Sequence, residues 1–407
     1  MRSLIAIVVV IVAASAALAE SGVVRLCVSA GKLFPETEAE LRTTVMRLLD
    51  EAKAPEPTEP LFACVVPHGP YGISGKVAAE AFKHLKPGQY KRVIILGASH
   101  ADMSFEDCSM DAVDVFATPL GFVPLDKVAV RTLTYSTLFA TRALRYNHQD
   151  NGFLSETERK PLHEYEHSVE IVLPFLQQRL GKFELVPILV GQLTNGTGQY
   201  SEKRTEAVAA QIKRVMDDET LLVVSTDFTH FGNDFSYRPF DDDIFNKIDK
   251  LDKVGLDRLA ANNYEGFEAF IKKTKVPICG LNALRVLEKL LPANAYGKVL
   301  AHDTSGRFYN DENRSVSYAS VNFYLSSTPR PTVMPDPVEV RNLGPLEETA
   351  ATETPEPVEA AAPEAPQAAV SAPETPESET PKAPEAAVES SGPRPAPVNL
   401  TNIRRGN

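Results

Sequence analysis

The chain has 407 residues, with 54 acidic against 42 basic side chains, a net charge of −12, 31 prolines, four cysteines and no tryptophan. An acidic balance with no basic stripe excludes a nucleic-acid-binding surface. The length exceeds that of one ordinary domain, but the proline and the charge are unevenly spread, and that spread sets the boundaries.

At the start, Arg2 precedes an apolar run from Leu4 to about Ala19, with small residues at Ala17 and Ala19 before Glu20. This is the pattern of a secretory signal over residues 1–19, cleaved after Ala19, and it predicts a periplasmic or secreted protein. The run falls short of the roughly 20 apolar residues of a membrane helix, so attachment to a membrane is expected only if the segment stays uncleaved. At the other end, residues 329–407 hold 16 of the 31 prolines, 13 acidic and 6 basic residues, and no Phe, Tyr, His or Cys. Such a segment cannot bury enough apolar surface to offset its chain entropy and is expected to be disordered. Between these ends lie 309 residues with a net charge of −6, no repeat and no linker, read as one domain: an N-terminal segment over 20–59 and an α/β body over 60–328.

Short β-rich apolar runs lie at 61–66, 92–97, 113–118, 183–191, 220–226, 296–303 and 315–325. Amphipathic stretches separate several of them, at 74–85, 168–180 and 205–216, and further helical patterns occupy 242–260, 264–273 and 280–291. Strand–helix alternation predicts an α/β fold, a single domain whose largely parallel sheet is flanked by helices. A hairpin around Thr118–Val123 predicts that the sheet is mixed. Four cysteines suit up to two disulfides in an exported protein, although Cys64, inside an apolar run, reads as a buried small hydrophobe.

The polar residues that end these runs are the candidate site. His68 follows LFACVVP and is succeeded by Gly69, Gly72 and Gly75; His100 ends VIILGASH, again just past a strand. Side chains at such points have rigid support and face a crevice, so the two histidines are candidate metal ligands. Cys279 precedes the helical pattern LNALRVLEKLL, where backbone N–H groups favour a thiolate. Asp227 and His230, three apart after the strand TLLVVST, suit a general acid or base with its orienting carboxylate. His167 and Glu170 would share one face of a helix beginning there, as a pair facing substrate or supporting a ligand. The stretch HEYEH at 163–167 matches the zinc-protease motif H-E-x-x-H, but Pro161 precedes it and the amphipathic pattern starts only near His167, so the mid-helix setting that motif needs is not expected.

The segments PHGPYGISG, GASH, EHSVEIVLPFL, STDFTHFG and ICG resemble, in that order, the motifs of the Memo family, called AmmeMemoRadiSam system protein B in its bacterial members. The resemblance runs from about residue 60 to about 325. It implies a fold similar to the class III extradiol dioxygenases, and a metal held by His68, His100 and Cys279 with Asp227 and His230 beside it. The sequence departs from the family pattern at PHGPYGISG, at Ala101 in place of a second histidine, and at Phe231 in place of a tryptophan. None of these is an implied ligand. A thiolate in place of the dioxygenase carboxylate implies iron or copper, with zinc as a further possibility, and redox chemistry on a small molecule. The alternative is a non-catalytic module that binds a peptide or other ligand on the same fold.

Overall fold

The computed structural model describes residues 22–144, 146–147, 152–154 and 159–327. The expected leader at 1–19 and the expected tail at 329–407 lie outside these residues. Among the described residues, no helix is long and apolar enough to cross a membrane.

In chain order the strands are β1 (Val24–Arg25), β2 (Leu61–Val66), β3 (Arg92–Gly97), β4 (Cys108–Met110), β5 (Val115–Thr118), β6 (Gly121–Pro124), β7 (Phe139–Thr141), β8 (Tyr146–Asn147), β9 (Gly152–Phe153), β10 (Glu184–Val190), β11 (Thr220–Ser225), β12 (His230–Gly232), β13 (Ala295–Thr304) and β14 (Arg314–Leu325). Nine of them form one sheet in the order β12-β14-β2-β11-β3-β10-β4-β7, with β13 on β14. The pairs β2–β11, β11–β3 and β3–β10 are parallel, which makes the centre of the sheet parallel. The flanks are mixed through the antiparallel pairs β14–β2, β13–β14, β12–β14 and β10–β4. The expected hairpin is present as β5–β6, but it joins β1 in a separate three-stranded sheet. The mixed character of the main sheet therefore comes from the long C-terminal strands and from β4, and not from that hairpin.

Successive side chains of a strand point to opposite faces, and the central strands are apolar on both. Ala63, Val65, Ile94, Leu96, Leu222 and Val224 pack with residues of the helices Glu202–Lys213, Ile244–Ala260, Tyr264–Thr274 and Leu281–Leu290. Their alternates Cys64, Val66, Val93, Ile95, Leu221 and Val223 pack with the helices Glu38–Glu51, Tyr71–Phe82 and Leu173–Leu180. The result is a helix–sheet–helix sandwich.

The helix Glu38–Glu51 belongs to this body although no element was expected there. Thr37 caps it by accepting from the Glu40 N–H at 3.3 Å, and Leu41, Val45, Leu48 and Leu49 form its buried stripe. The stretch after His167 begins as a 3₁₀ turn over Glu170–Val172, and the α-helix starts at Leu173, with Pro174 in its first turn where its missing N–H costs nothing.

Candidate metal centre

The register of three parallel strands builds the site. Ser225, the last residue of β11, pairs with Val66 on one side and Gly97 on the other, so the C-terminal ends of β2, β11 and β3 lie in one row. His68, Asp227 and His100 each follow within three residues. This is the crevice outside the carboxyl ends of a parallel sheet, where ligands bind in open α/β folds. Cys279 joins them from the turn before the helix Leu281–Leu290. The Gly280 N–H donates to Thr226 Oγ1 at 2.9 Å, and a Cβ at Gly280 would meet the Thr226 side chain at 2.5 Å, so this approach requires glycine.

One ligand atom from each of His68, His100 and Cys279 lies within 4.8 Å of the others, a grouping that could hold a metal ion. Cys279 Sγ is 3.2 Å from His68 Nε2 and accepts the Asp227 N–H at 3.2 Å. All four cysteines are free, with Cys64 and Cys108 fully buried, so the disulfides suited to export are not formed.

Each ring is oriented by a buried partner. His68 Nδ1 is 3.2 Å from Ser225 Oγ, and that hydroxyl donates to Ser168 O at 2.5 Å. The ring nitrogen is therefore the donor, and the Nε2 lone pair faces Cys279. His100 Nδ1 donates to Glu166 Oε1 at 2.9 Å, which likewise leaves Nε2 as its ligand atom. Burial, together with the like charges of His100 and His167, holds His68 well below the usual histidine range and so neutral. For His100 burial acts in the same direction, but the Glu166 carboxylate and the Cys279 sulfur outweigh it and hold the ring well above that range.

Glu166 was not among the expected site residues, although it directly precedes His167. Its carboxylate accepts from His100 N at 2.6 Å, His100 Nδ1 at 2.9 Å, His167 N at 2.8 Å and Ser168 N at 3.1 Å. His100, Glu166 and His167 also group closely enough to hold an ion. Four N–H donors already engage that carboxylate, however, three on Oε1 and one on Oε2, and two of them come from His100, so Glu166 acts as the group that fixes His100. His167 lies against the other two rings, 4.7 Å from His100 and 5.4 Å from His68 between centroids, and burial pushes it down to about 4.

Asp227 and His230 lie on the loop beside this group. Asp227 Oδ1 accepts the His68 N–H at 2.8 Å, and Oδ2 is 3.9 Å from His68 Nε2. Burial pushes its carboxyl up to about 7 against the pull of that hydrogen bond and of His100. His230 donates from Nδ1 to Phe228 O at 2.8 Å, which leaves Nε2 as a free base, and burial pushes it down to about 4.

Glu170 is not brought to this group. It is fully buried, pairs with Arg25, and accepts from Ser29 N at 2.7 Å, Val28 N at 3.0 Å and Cys27 Sγ at 3.2 Å. The shared helical face with His167 is absent because residues 166–169 precede the helix. Glu170 instead ties down the N-terminal strand, while Arg25 also donates to His163 O at 2.9 Å and Glu166 O at 2.6 Å. HEYEH is not a metal motif here either. Its 3₁₀ turn ends at Tyr165, Glu166 is extended, and His163 is buried with Nε2 3.1 Å from Ser109 O.

The model of the Memo-like protein family matches residues 25–322. The match starts at the strand that carries Arg25, ahead of the expected body at 60–328. Protein MEMO1 of Homo sapiens is 28% identical over 305 residues, covering 72% of this chain and 94% of that protein. The protein memo-1 homolog of Caenorhabditis elegans is also 28% identical over 305 residues, covering 72% of this chain and 80% of its own. A family match spanning this length, on a fold that assembles the family's motif residues at one sheet edge, identifies the chain: it belongs to the Memo family.

Proposed function

We propose that the protein carries out metal-dependent redox chemistry, with iron or copper, on a small molecule bound in the crevice above β2, β11 and β3. The observation that carries this reading is the convergence of two ring nitrogens and one sulfur within 4.8 Å, on three separate loops, with proton-transfer groups beside them. The donor set fits such an ion: a neutral His68, a second imidazole braced by a carboxylate, and a cysteine sulfur whose softness suits copper and iron as well as zinc. Three protein ligands leave a position for substrate, which a closed four-ligand structural site would not. When bound, the ion would supply the electron transfer.

The remaining steps belong to the chain. Asp227, with its carboxyl near 7, exchanges a proton with a substrate hydroxyl at neutral pH. His230, neutral and with Nε2 free, accepts a proton or orients an acidic group. His167 lines the site by stacking on His100. Export is proposed on residues 1–19 alone.

Purification without oxygen followed by metal analysis tests the reading. About one equivalent of iron or copper is expected, lost in Cys279→Ser, with oxygen uptake on addition of a redox-active small molecule. Ligand binding unaffected by Cys279→Ser, with no metal retained, would replace it with a binding module.

A further inference from the structure

A second buried polar line runs from the site to the surface through residues outside the metal cluster. Thr229, fully buried between Asp227 and His230, donates from its hydroxyl to Asp252 Oδ1 on the helix Ile244–Ala260. Asp252, itself 2% exposed, accepts on Oδ2 from His302 Nε2 at 2.8 Å. His302, on β13, is partly open to solvent, and its Nδ1 lies 3.5 Å from Asp249 Oδ1. Beyond it, Arg307 pairs with Asp249 at 2.7 Å and with Asp303 at 3.5 Å, and Lys76 pairs with Asp303 at 2.5 Å.

We infer that Asp252 and His302 are positioning residues for the Asp227–His230 loop, and that the charge state of His302 is transmitted through Asp252 and Thr229 to His230. Four observations support this. The backbone of the loop is tied to β14 and to the turn before Cys279: Phe228 N donates to Ser317 O at 2.8 Å, Ser317 N to Thr229 O at 2.9 Å, and His230 N to Pro277 O at 3.1 Å. Through the Thr229 hydroxyl the same loop is also tied to the helix Ile244–Ala260. A buried carboxylate is costly without a counter-charge, and His302 is the cation that touches Asp252. Asp252 also acts electrostatically on His230, raising its basicity against burial and against the larger opposing charge of His100.

Burial opposes charge on His302, but the hydrogen bond and charge of Asp252, with Asp249, outweigh it and hold the ring above 6.5, against the smaller opposing charge of Arg307. Below that folded-state value the His302⁺–Asp252⁻ pair is intact. As pH rises through it, Asp252 loses its counter-charge, and its field on His230 and its pull on the Thr229 hydroxyl both grow. A surface histidine thereby tunes the wall of the site from a distance, by a local charge change acting on a buried hydrogen-bonded element.

The inference rests on Asp227 and His230 forming a wall of the proposed site, but its test requires no metal. Histidine labelled in ring and backbone is followed by NMR across pH in the metal-free full chain, with the His230 and His302 rings assigned by through-bond correlation to their own backbones in the wild-type protein. In the wild-type protein, the His230 resonance should show an inflection at the His302 midpoint, which should lie above pH 6.5. That inflection should vanish in His302→Gln while His230 keeps its own titration, and Asp252→Asn should remove it as well. A wild-type His230 resonance that does not move as His302 titrates overturns the inference whether or not either variant folds, as does an inflection that persists in His302→Gln. Neither result bears on whether His68, His100 and Cys279 bind iron or copper, so the two readings fail separately.

Discussion

The N-terminal strap and the candidate metal centre are both buried and polar, and both draw on the stretch 163–170, yet they are finished differently. At the strap, every group is turned inward on another: Glu170 takes Arg25, two backbone N–H groups and a thiol, and Arg25 takes two carbonyls and that carboxylate. At the metal centre, only the far side of each ring is satisfied, by Ser225 and Glu166, while Nε2 of His68, the free nitrogen of His100 and Sγ of Cys279 point at one another. A buried charge alone does not mark function, because a saturated network stabilises. Convergent atoms with their backs braced and their fronts open are the pattern of a binding site.

The largest expected effect would break the strap. Glu170→Ala removes one partner of a buried pair and leaves Arg25 uncompensated, which costs about 3–5 kcal/mol in denaturant unfolding. A loss below about 1 kcal/mol would mean that the strap is not a closed structural unit. Next is Glu288, on the helix Leu281–Leu290, a buried carboxylate with no hydrogen-bond partner on either oxygen among the described residues. Burial, reinforced by Glu268, pushes it up to about 8 from an ordinary value of 4.5. Its folded value lies above its unfolded one, so its protonated form stabilises the fold at low pH, and that contribution is lost as pH rises from about 4.5 to 8. Glu288→Gln is therefore expected to be more stable than wild type by about 3 kcal/mol at pH 7, with the gain fading towards pH 4. A gain equal at both pH values would separate the effect from ionisation.

At the metal centre the order of effects should reverse. Cys279→Ser is expected to weaken iron or copper binding by more than about 100-fold in a competition titration, beyond the range seen for supporting residues. The stability of its metal-free form should stay within about 1 kcal/mol of wild type. A large stability loss without a change in metal affinity would put Cys279 with the strap residues. Smallest is Glu166→Gln, which keeps a shape able to meet His100 but removes the charge that fixes it; a loss of about 10–100-fold in metal affinity is expected. An unchanged affinity would mean that His100 is placed by its loop alone.

Local sequence determined the central strands and most helices. LFACVV and RVIILG coincide with β2 and β3 at both ends, because short apolar runs, one held between Pro60 and Pro67 and the other running from Arg92 to Gly97, admit few alternatives. The helix Glu38–Glu51 carried an equally local signal, in Thr37 and the spacing of Leu41, Val45 and Leu48, and lay outside the expected elements all the same. The three-residue strands β4 and β7 carried none, since a run that short has no period.

The five polar residues at the crevice, His68, His100, Asp227, His230 and Cys279, were legible because each sits just past an apolar run or before a helix, and the motif resemblance joined them. The division of labour within EHSVE was not legible. Glu166 braces His100, while Glu170, four residues on, turns to Arg25. Both are acids beside a histidine, and spacing ranks them alike. Which one faces the crevice depends on where the 3₁₀ turn ends and on the distant strand β1. The convergence itself depends on Ser225 pairing with both Val66 and Gly97. Strand register is set by packing between segments far apart in the chain, so the sequence could name the candidate residues, but only the tertiary structure could bring them to one point and decide which neighbours hold them there.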